Sequence, residues 1–320
     1  MNIIKVKNLT KKYNKFTAVD GIDFDIEKGK IFGFLGPNGA GKTTTINMLT
    51  GIVRVSSGSV TIAGIDGVNN VKKVQKLIGV VPDESNLYMD FDGFENLCFC
   101  ASLYGIRKKE RERRARTLLK QFGLESAGKR PFKAYSKGMK RKLTIAAGII
   151  HKPEILFLDE PTTGIDVESA RQIRDMISQL KLDGTTIFLT THYIEEAERL
   201  CDRIAFIVNG KIVKTGSVKQ LMDSIQDKHI VQISFNRDVS NTIDEFKSHF
   251  KESDLEIKKN KIVLYSKDSI SLMPLLDFFD RKGFEVYEAK IIKPSLEEVF
   301  VKITGIGTSK MEMEKAGGKK

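Results

Sequence analysis

The segment GPNGAGKTT, from Gly36 to Thr44, constrains the fold of this chain more than any other feature. It matches the pattern G-x-x-x-x-G-K-[ST], follows the apolar run KIFGFLG and precedes TTTINMLTGI, in which the apolar residues have helical spacing. Glycines let the backbone curl so that successive N–H groups face phosphate oxygens, and the following helix adds its positive N-terminal end. We therefore predict a phosphate-binding loop formed by Gly36, Pro37, Asn38, Gly39, Ala40, Gly41, Lys42, Thr43 and Thr44.

Within this loop and downstream of it, the residue types fit Mg²⁺–nucleotide chemistry. Lys42 offers a point charge to the β- and γ-phosphates, and the Thr43 hydroxyl is a ligand for Mg²⁺. The segment ILFLDEP, residues 155–161, ends an apolar strand in two carboxylates. In enzymes with this loop the first acid holds Mg²⁺, which indicates Asp159, and we expect Glu160 to be the general base for an attacking water. Alone this pattern is weak, but downstream of a phosphate loop it is strong.

Two further segments are candidates for the same chemistry. In AYSKGMKRKL, residues 134–143, Ser136 has the character of an N-cap and Gly138 permits close approach, so a helix N-terminus with cationic flanks faces outward. This second anion-binding surface is odd unless it serves another copy of the chain, and the alternative is an ordinary capped basic helix. His192 follows the apolar strand of LTTH, at the edge where open α/β sheets bind ligands, although a lone histidine is usually structural.

The order of elements predicts two domains. Strands alternate with helices over residues 1–220, with a helical insert over about 88–147, which indicates an α/β core with a mainly parallel sheet. The pair Asn209–Gly210 predicts a tight hairpin. Residues 226–304 fit a small β-α-β-β-α-β, ferredoxin-like domain, in which His229 stands alone; a regulatory, docking or purely structural role stays open. The last segment, 305–320, is typical of a disordered basic tail.

Composition limits the class of protein. The 320 residues carry 53 basic and 41 acidic side chains, a net charge of +12 that favours polyanionic partners such as nucleic acid, anionic lipid or nucleotide phosphates. Cys98, Cys100 and Cys201 lack the spacing of a metal or redox motif, and we interpret them as reduced cysteines. No stretch approaches the roughly 20 apolar residues of a membrane span, and the N-terminus lacks the features of a signal peptide, so we expect a cytoplasmic protein.

Taken in order, GPNGAGKTT, YSKGM, ILFLDEP, TTGID and LTTH resemble the motifs of the nucleotide-binding subunits of ABC transporters, over about residues 3–217. YSKGM stands where that family has its signature, TTGID where it has the D-loop with Asp166, and His192 where it has the switch histidine. Tyr13 stands where the family has an aromatic residue that stacks on adenine. The segments EPTTGID and PSLEEVFVKITG are similar to the branch that exports drugs, antibiotics, ions or lipids.

The resemblance implies a P-loop NTPase core of the ABC type with antiparallel β and α-helical subdomains, followed by the small α+β domain. It also implies an ATPase in which two copies sandwich two ATP molecules. Lys42, Thr43 and Asp159 of one copy would then face Ser136, Lys137 and Gly138 of the other, most simply in a homodimer. Integral membrane subunits would convert closure of the dimer into export, with this chain at the inner face of the membrane. The sequence does not reveal the transported substrate.

Two departures from the family pattern stand out. Asp83, followed by Glu84, occupies the position of the Q-loop glutamine, where a carboxylate could reach Mg²⁺ and water but adds negative charge beside phosphates. In the signature, Lys137 replaces a glycine and Met139 a glutamine.

The main alternative is an ABC-type ATPase acting on nucleic acid or ribosomes. The net charge favours it mildly, whereas the single set of motifs and the lack of a long heptad run disfavour it, so we expect no direct nucleic-acid partner. A small-molecule kinase or GTPase is a second alternative. Two observations disfavour it: YSKGM and LTTH have no role in such enzymes, and the sequence has no N-K-x-D motif for reading guanine. An ATP-binding regulator without turnover stays open because of Asp83.

Overall fold

The computed structural model describes residues 1–224, 229–239, 242, 245–246, 254–266, 268–292 and 294–307. The described residues divide into two compact units, one formed by Met1–Val218 together with 303–307 and the other lying within Lys219–Lys302. Among the described residues, no helix combines the length and the apolar character needed to cross a membrane.

The first unit contains two sheets of different character. Its strands, in chain order, are β1 (Asn2–Tyr13), β2 (Phe16–Glu27), β3 (Ile31–Leu35), β4 (Ser57–Ile62), β5 (Ile65–Asp66), β6 (Ile78–Val81), β7 (Ile155–Asp159), β8 (Thr186–Thr191), β9 (Arg203–Val208) and β10 (Lys211–Gly216). An antiparallel sheet has the order β2-β1-β4-β5, and a six-stranded sheet has the order β10-β9-β3-β8-β7-β6. The pairs among β9, β3, β8, β7 and β6 are parallel.

Burial explains this division. In β2 apolar and polar residues alternate, as expected when one face of an antiparallel sheet meets the core. Every residue of β3, β7 and β8 is buried, as is typical of parallel strands covered on both faces. Phe24, Phe32, Phe34 and Phe188 form a packed aromatic group between the two sheets' strands, with ring centroids 5.3–6.3 Å apart.

The helices follow the predicted α/β alternation and the predicted helical insert. In chain order those of the first unit are α1 (Lys42–Leu49), α2 (Val71–Gln75), α3 (Gly93–Leu103), α4 (Lys108–Gln121), α5 (Lys137–Ile149), α6 (Val167–Leu182) and α7 (Ile194–Leu200), and α8 (Val218–Asp223) follows them. Asp92 and Glu95 form a reciprocal capping box that starts α3. The short helices α2 and α8 were not predicted, because their five and six residues are too few to establish a helical period.

The hairpin between β9 and β10 confirms the prediction made from Asn209–Gly210. Their φ angles are 49° and 75°, the left-handed region that both central residues of such a turn require.

The second unit has a four-stranded antiparallel sheet of order β12-β13-β11-β14. Its strands and helices are β11 (His229–Phe235), β12 (Asp254–Lys258), β13 (Lys261–Ser266), α9 (Leu272–Arg281), β14 (Val286–Ile292) and α10 (Leu296–Thr304). Buried Val231, Ile233 and Phe235 of β11 share a core with Leu275 and Phe279 of α9. These elements match the predicted segments. Most of the predicted helix at 242–250 and residues 308–320 of the predicted tail lie outside the described residues.

Candidate functional site

Three neighbouring parallel strands end at the same edge of the six-stranded sheet. β3 leads into Gly36, β8 into His192, and β7 ends at Asp159 with Glu160 next. Because the strand order places β3 beside β8 and β8 beside β7, residues far apart in the sequence meet at this edge. The carboxyl edge of an open α/β sheet is where such folds bind ligands.

The loop between β3 and α1 depends on glycine at several points. A Cβ atom at Gly36 would lie 2.1 Å from the carbonyl oxygen of Ile207, so a larger residue cannot enter there. Gly41 has a φ of 103° and directly precedes α1. Of the described side chains, none caps α1, so the amides of its first turn point toward the loop without a side-chain acceptor. An anion seated in the loop would supply that acceptor.

Lys42 is the first residue of α1, and its side chain reaches back into the phosphate-binding loop. Its side chain is 6% exposed, and its Nζ donates to the carbonyl oxygens of Gly36, at 2.8 Å, and Pro37, at 3.1 Å. The same ammonium lies 3.3 Å from Oε1 of Glu160, whose side chain is also buried. The structure therefore brings together the lysine of the loop and the second carboxylate of ILFLDEP.

Asp159 faces hydroxyl groups. Thr43 Oγ1 donates to Asp159 Oδ2 at 2.8 Å, and Thr190 Oγ1 donates to Oδ1. Burial raises the pKa of Asp159 above its ordinary value despite these hydrogen bonds, and the charges of Glu160 and Asp83 raise it further. A buried carboxylate with neighbouring acids and a threonine hydroxyl beside it is a donor set that suits a hard cation such as Mg²⁺.

Glu160 is held from several sides. Its φ is 50°, in the left-handed region that non-glycine residues seldom adopt. Its Oε2 accepts hydrogen bonds from His192 Nδ1 and from Thr163 Oγ1, the latter at 2.7 Å. Burial alone would raise the pKa of Glu160, but the hydrogen bond from His192 and the charge of Lys42 lower it to about 2. Glu160 is thus ionised at neutral pH and paired with His192 and Lys42.

The segment YSKGM starts α5 in the predicted way. Ser136 is the N-cap, and its hydroxyl accepts from the backbone N–H of Met139 at 3.2 Å. Ser136 and Lys137 are exposed, whereas Gly138 is buried against α6. A Cβ at Gly138 would lie 2.2 Å from Oγ of Ser169, so only glycine allows this contact.

Asp166 begins the adjacent helix. It is the N-cap of α6, where its carboxylate accepts from the backbone N–H of Ser169 at 2.8 Å. Hydrogen bonds from Ser169 lower the pKa of Asp166. The N-terminal ends of α5 and α6 therefore lie side by side through Gly138 and Ser169.

Tyr13 and Asp83 are more exposed than the buried group of Lys42, Asp159 and Glu160. Tyr13 ends β1 with its ring 45% exposed, and the ammonium of Lys11 lies 4.7 Å from the ring centroid. Asp83 follows β6 and is half exposed, and its Oδ1 lies 3.3 Å from Nη2 of Arg141.

Sequence reasoning missed Arg141 and the hydroxyl groups of Thr163 and Thr190. Arg141 sits in a run of basic residues, KRK, where nothing in the composition separates a buried cation from exposed ones. A helical projection could have found it, because Arg141 lies three residues after Gly138 and four before Ile145, both of which are buried.

Comparisons with known proteins agree with this geometry. The family model described as "ABC transporter" matches residues 19–163. The linearmycin resistance ATP-binding protein LnrL of Bacillus subtilis is 35% identical over 308 residues, which cover 95% of this chain and 98% of that protein. The Nod factor export ATP-binding protein I of Cupriavidus metallidurans is 34% identical over 304 residues, covering 95% and 97%. A solved dimeric ATP-binding cassette in a post-hydrolysis state with ADP and phosphate bound superposes with a TM-score of 0.62 and 26% identity, covering 67% of this chain and 98% of that one.

Proposed function

The chain belongs to the ABC transporter family as an ATP-binding and ATP-hydrolysing subunit, and on that premise we propose how its residues divide the work. The single observation that carries the proposal is the buried group of Lys42, Asp159, Glu160 and His192 around one phosphate-binding loop. Loop amides and Lys42 bind the phosphates, and Tyr13 stacks on the adenine ring. Glu160 activates the attacking water as general base.

The arrangement couples nucleotide binding to release of the base. Lys42 and His192 both engage the carboxylate of Glu160, which lowers its pKa to about 2 and makes it a poor proton acceptor. A γ-phosphate carries several negative charges and competes for the same lysine and histidine. As these groups turn to the phosphate, the pKa of Glu160 rises toward the range in which it accepts a proton from water.

Thr43 and Asp159 are the residues that would hold Mg²⁺ with the phosphate oxygens. Their contact at 2.8 Å brings one hydroxyl and one carboxylate to the same point. When bound, the ion would neutralise charge on the phosphates. Asp159 would contribute the negative charge that holds the ion, and the hydrogen bond from Thr190 orients this carboxylate.

We further propose that a second copy of the chain completes the site. Exposed Ser136 and Lys137, with the helix N-terminus behind them, offer phosphate-binding groups that are not needed within their own protomer. Asp166 starts the neighbouring helix at the same surface. A homodimer in which each α5 faces the partner's nucleotide uses all of these groups, and dimeric cassettes with the same fold support it.

The membrane partner is proposed to dock on the first unit. A groove of about 810 Å³ there is lined by Ile52, Leu103 and Tyr104, which are exposed apolar side chains, and by Lys72 and Lys76. Exposed apolar residues beside a groove are typical of a protein–protein contact. We place the subunit at the cytoplasmic face of the membrane and propose export as the direction of transport, because one relative along nearly the whole chain is named for export and another for antibiotic resistance.

The dimer is tested with Glu160→Gln. This change removes the base but keeps the loop, Lys42 and Asp159, so hydrolysis should fall by about 100-fold or more, whereas ATP should still bind. With Mg-ATP the variant should then elute as a stable dimer in size-exclusion chromatography with light scattering. Glu195→Gln is the matched control, since Glu195 is an exposed carboxylate of α7 that pairs with Arg199. A Glu160→Gln protein that stays monomeric at saturating Mg-ATP would refute the two-copy site.

A further inference from the structure

Arg141 is the one cation of the KRK run that turns inward. Its side chain is 8% exposed, whereas Lys140 and Lys142 on either side are only partly buried. The guanidinium reaches the segment after β6: Nη1 donates to the carbonyl oxygen of Pro82 at 2.6 Å, and Nη2 donates to that of Asp83 at 2.6 Å. Nη2 also lies 3.3 Å from Oδ1 of Asp83. One planar group thus fixes both the backbone and the side chain of this segment.

The same guanidinium reaches the proposed base. Nη2 lies 3.4 Å from the carbonyl oxygen of Glu160. On its other side, the backbone N–H of Glu160 donates to the carbonyl oxygen of Thr190 at 3.1 Å. A non-glycine residue such as Glu160 stays in the left-handed region only where its surroundings hold it there. Here Thr190 accepts from its backbone N–H, and Arg141 contacts its carbonyl oxygen.

Arg141 also balances charge. Its surroundings contain three carboxylates, Asp83, Asp159 and Glu160, each of which favours the charged guanidinium, although burial lowers the pKa of Arg141. Asp83 stands where the family has a neutral glutamine, so it adds a negative charge beside the phosphate site. Because Nη2 of Arg141 lies 3.3 Å from Oδ1 of Asp83, the guanidinium offsets the charge of this carboxylate directly.

We propose that Arg141 is a positioning residue for ATP hydrolysis, which holds the Asp83 segment and the backbone of Glu160 in one set of contacts and neutralises the carboxylate that replaces a glutamine. The inference rests on the proposed function, because it assigns a role toward the base Glu160. Arg141 touches neither the loop nor Lys42 in these contacts, so it should affect the rate of hydrolysis rather than the affinity for ATP.

The test compares Arg141→Gln, Asp83→Asn and the double variant in the full chain. Phosphate release gives kcat and KM, and calorimetric titration without Mg²⁺ gives the Kd for ATP. Misplacing a catalytic group by about 1 Å costs about 100-fold, so kcat of Arg141→Gln should fall about 10- to 100-fold, while Kd changes less than about 3-fold. Asp83→Asn alone supplies the reference kcat for the double variant, since it removes the carboxylate while Arg141 keeps its contacts with the backbone oxygens.

Rescue separates positioning from simple loss of structure. In the double variant the unpaired carboxylate is gone, so kcat should recover about 5-fold or more relative to Arg141→Gln, a coupling expected only for groups in contact. Lys142→Gln is the matched control, because Lys142 follows Arg141 in the same helix but donates to Gln172 of α6. If Arg141→Gln keeps the parental kcat, or if the two changes multiply without rescue, the proposal is wrong.

Arg141→Lys covers the case in which Arg141→Gln does not fold. Lysine keeps the charge but cannot donate to Pro82, Asp83 and Glu160 together, so its kcat should lie well below the parental value with an unchanged Kd. A parental kcat in Arg141→Lys would overturn the positioning role. If the parent binds no ATP, or if Glu160→Gln hydrolyses it normally, the proposed function itself has failed, which is a different result.

Discussion

Gly138→Ala tests how closely α5 and α6 approach each other. An added Cβ would lie 2.2 Å from Oγ and 2.6 Å from Cβ of Ser169, distances that no rotation of the serine hydroxyl relieves, because the Cβ of Ser169 is fixed by its backbone. The helices would have to separate by about 1 Å at their N-terminal ends. Overpacking of this kind costs about 1–3 kcal/mol, and about 2–4 °C of the melting temperature is lost per kcal/mol in a unit of this size.

The functional effect of Gly138→Ala should exceed its effect on stability. The phosphate loop lies on β3 and α1, so the affinity of a single protomer for ATP should stay within about 2-fold of the parent, since the contacts of Lys42 are unchanged. In the proposed two-copy site the ATP-dependent dimer needs Ser136 in place, so the dimer should be lost. The assay is therefore paired: calorimetric titration for ATP, and light scattering for the dimer in the Glu160→Gln background.

Ser169→Gly supplies the rescue. It removes both atoms that an alanine at position 138 would meet, at a cost of about 0.5–1 kcal/mol for a glycine in a helix. The double variant Gly138→Ala/Ser169→Gly should regain the dimer, and Ser169→Gly alone should dimerise like the parent. A Gly138→Ala protein that dimerises normally, or a double variant that does not recover, would show that the contact between α5 and α6 does not set the position of Ser136.

Four other changes address the site directly. Lys42→Ala should abolish tight ATP binding in a calorimetric titration; unchanged affinity would remove the lysine from the phosphate site. Tyr13→Ala should raise the KM for ATP about 5- to 150-fold through lost stacking, worth about 1–3 kcal/mol, whereas Tyr13→Phe should behave like the parent. Asp159→Asn should raise the melting temperature of the nucleotide-free protein, because burial raises the pKa of Asp159 and so disfavours its charged form, while hydrolysis with Mg²⁺ is lost; a lowered melting temperature would contradict this account. The pKa shift of Glu160 has the opposite sign to that of Asp159, because the pKa of Glu160 is lowered to about 2. The ionised carboxylate therefore stabilises the fold above pH 4.5, and this stabilisation is lost as the pH falls from 4.5 to 2. Glu160→Gln should therefore lose less stability than the parent over that interval in acid unfolding.

The local structure of motifs made of neighbouring residues could be predicted from the sequence. The apolar run before Gly36, the capping Ser136 and the hairpin at Asn209–Gly210 each contain their own physical reason within a few residues. The α/β class and the ABC family followed from the order of these motifs, and the comparisons confirm both. The assignment of roles to single residues stays a prediction until the variants are measured.

Contacts between distant segments could not be predicted in the same way. The sequence placed Asp159 and His192 at strand ends, but the adjacency of those strands depends on the sheet order β3-β8-β7, which no single segment specifies. The pairing of Lys42 with Glu160 is a consequence of that order. Arg141 was missed for the same reason, since its partners lie 58 residues before it and 19 after it.

The charges around the loop predict that the site favours Mg-ATP over ATP alone. Without nucleotide, Asp83, Asp159 and Glu160 are the carboxylates around the loop, and Lys42 and Arg141 are the permanent cations that contact them. The balance is already negative. Burial raises the pKa of Asp159, and the charges of Glu160 and Asp83 raise it further. A nucleotide triphosphate adds up to four negative charges in a poorly solvated place, where repulsion is strong. A divalent cation held by Asp159 and Thr43 would supply positive charge that offsets this repulsion.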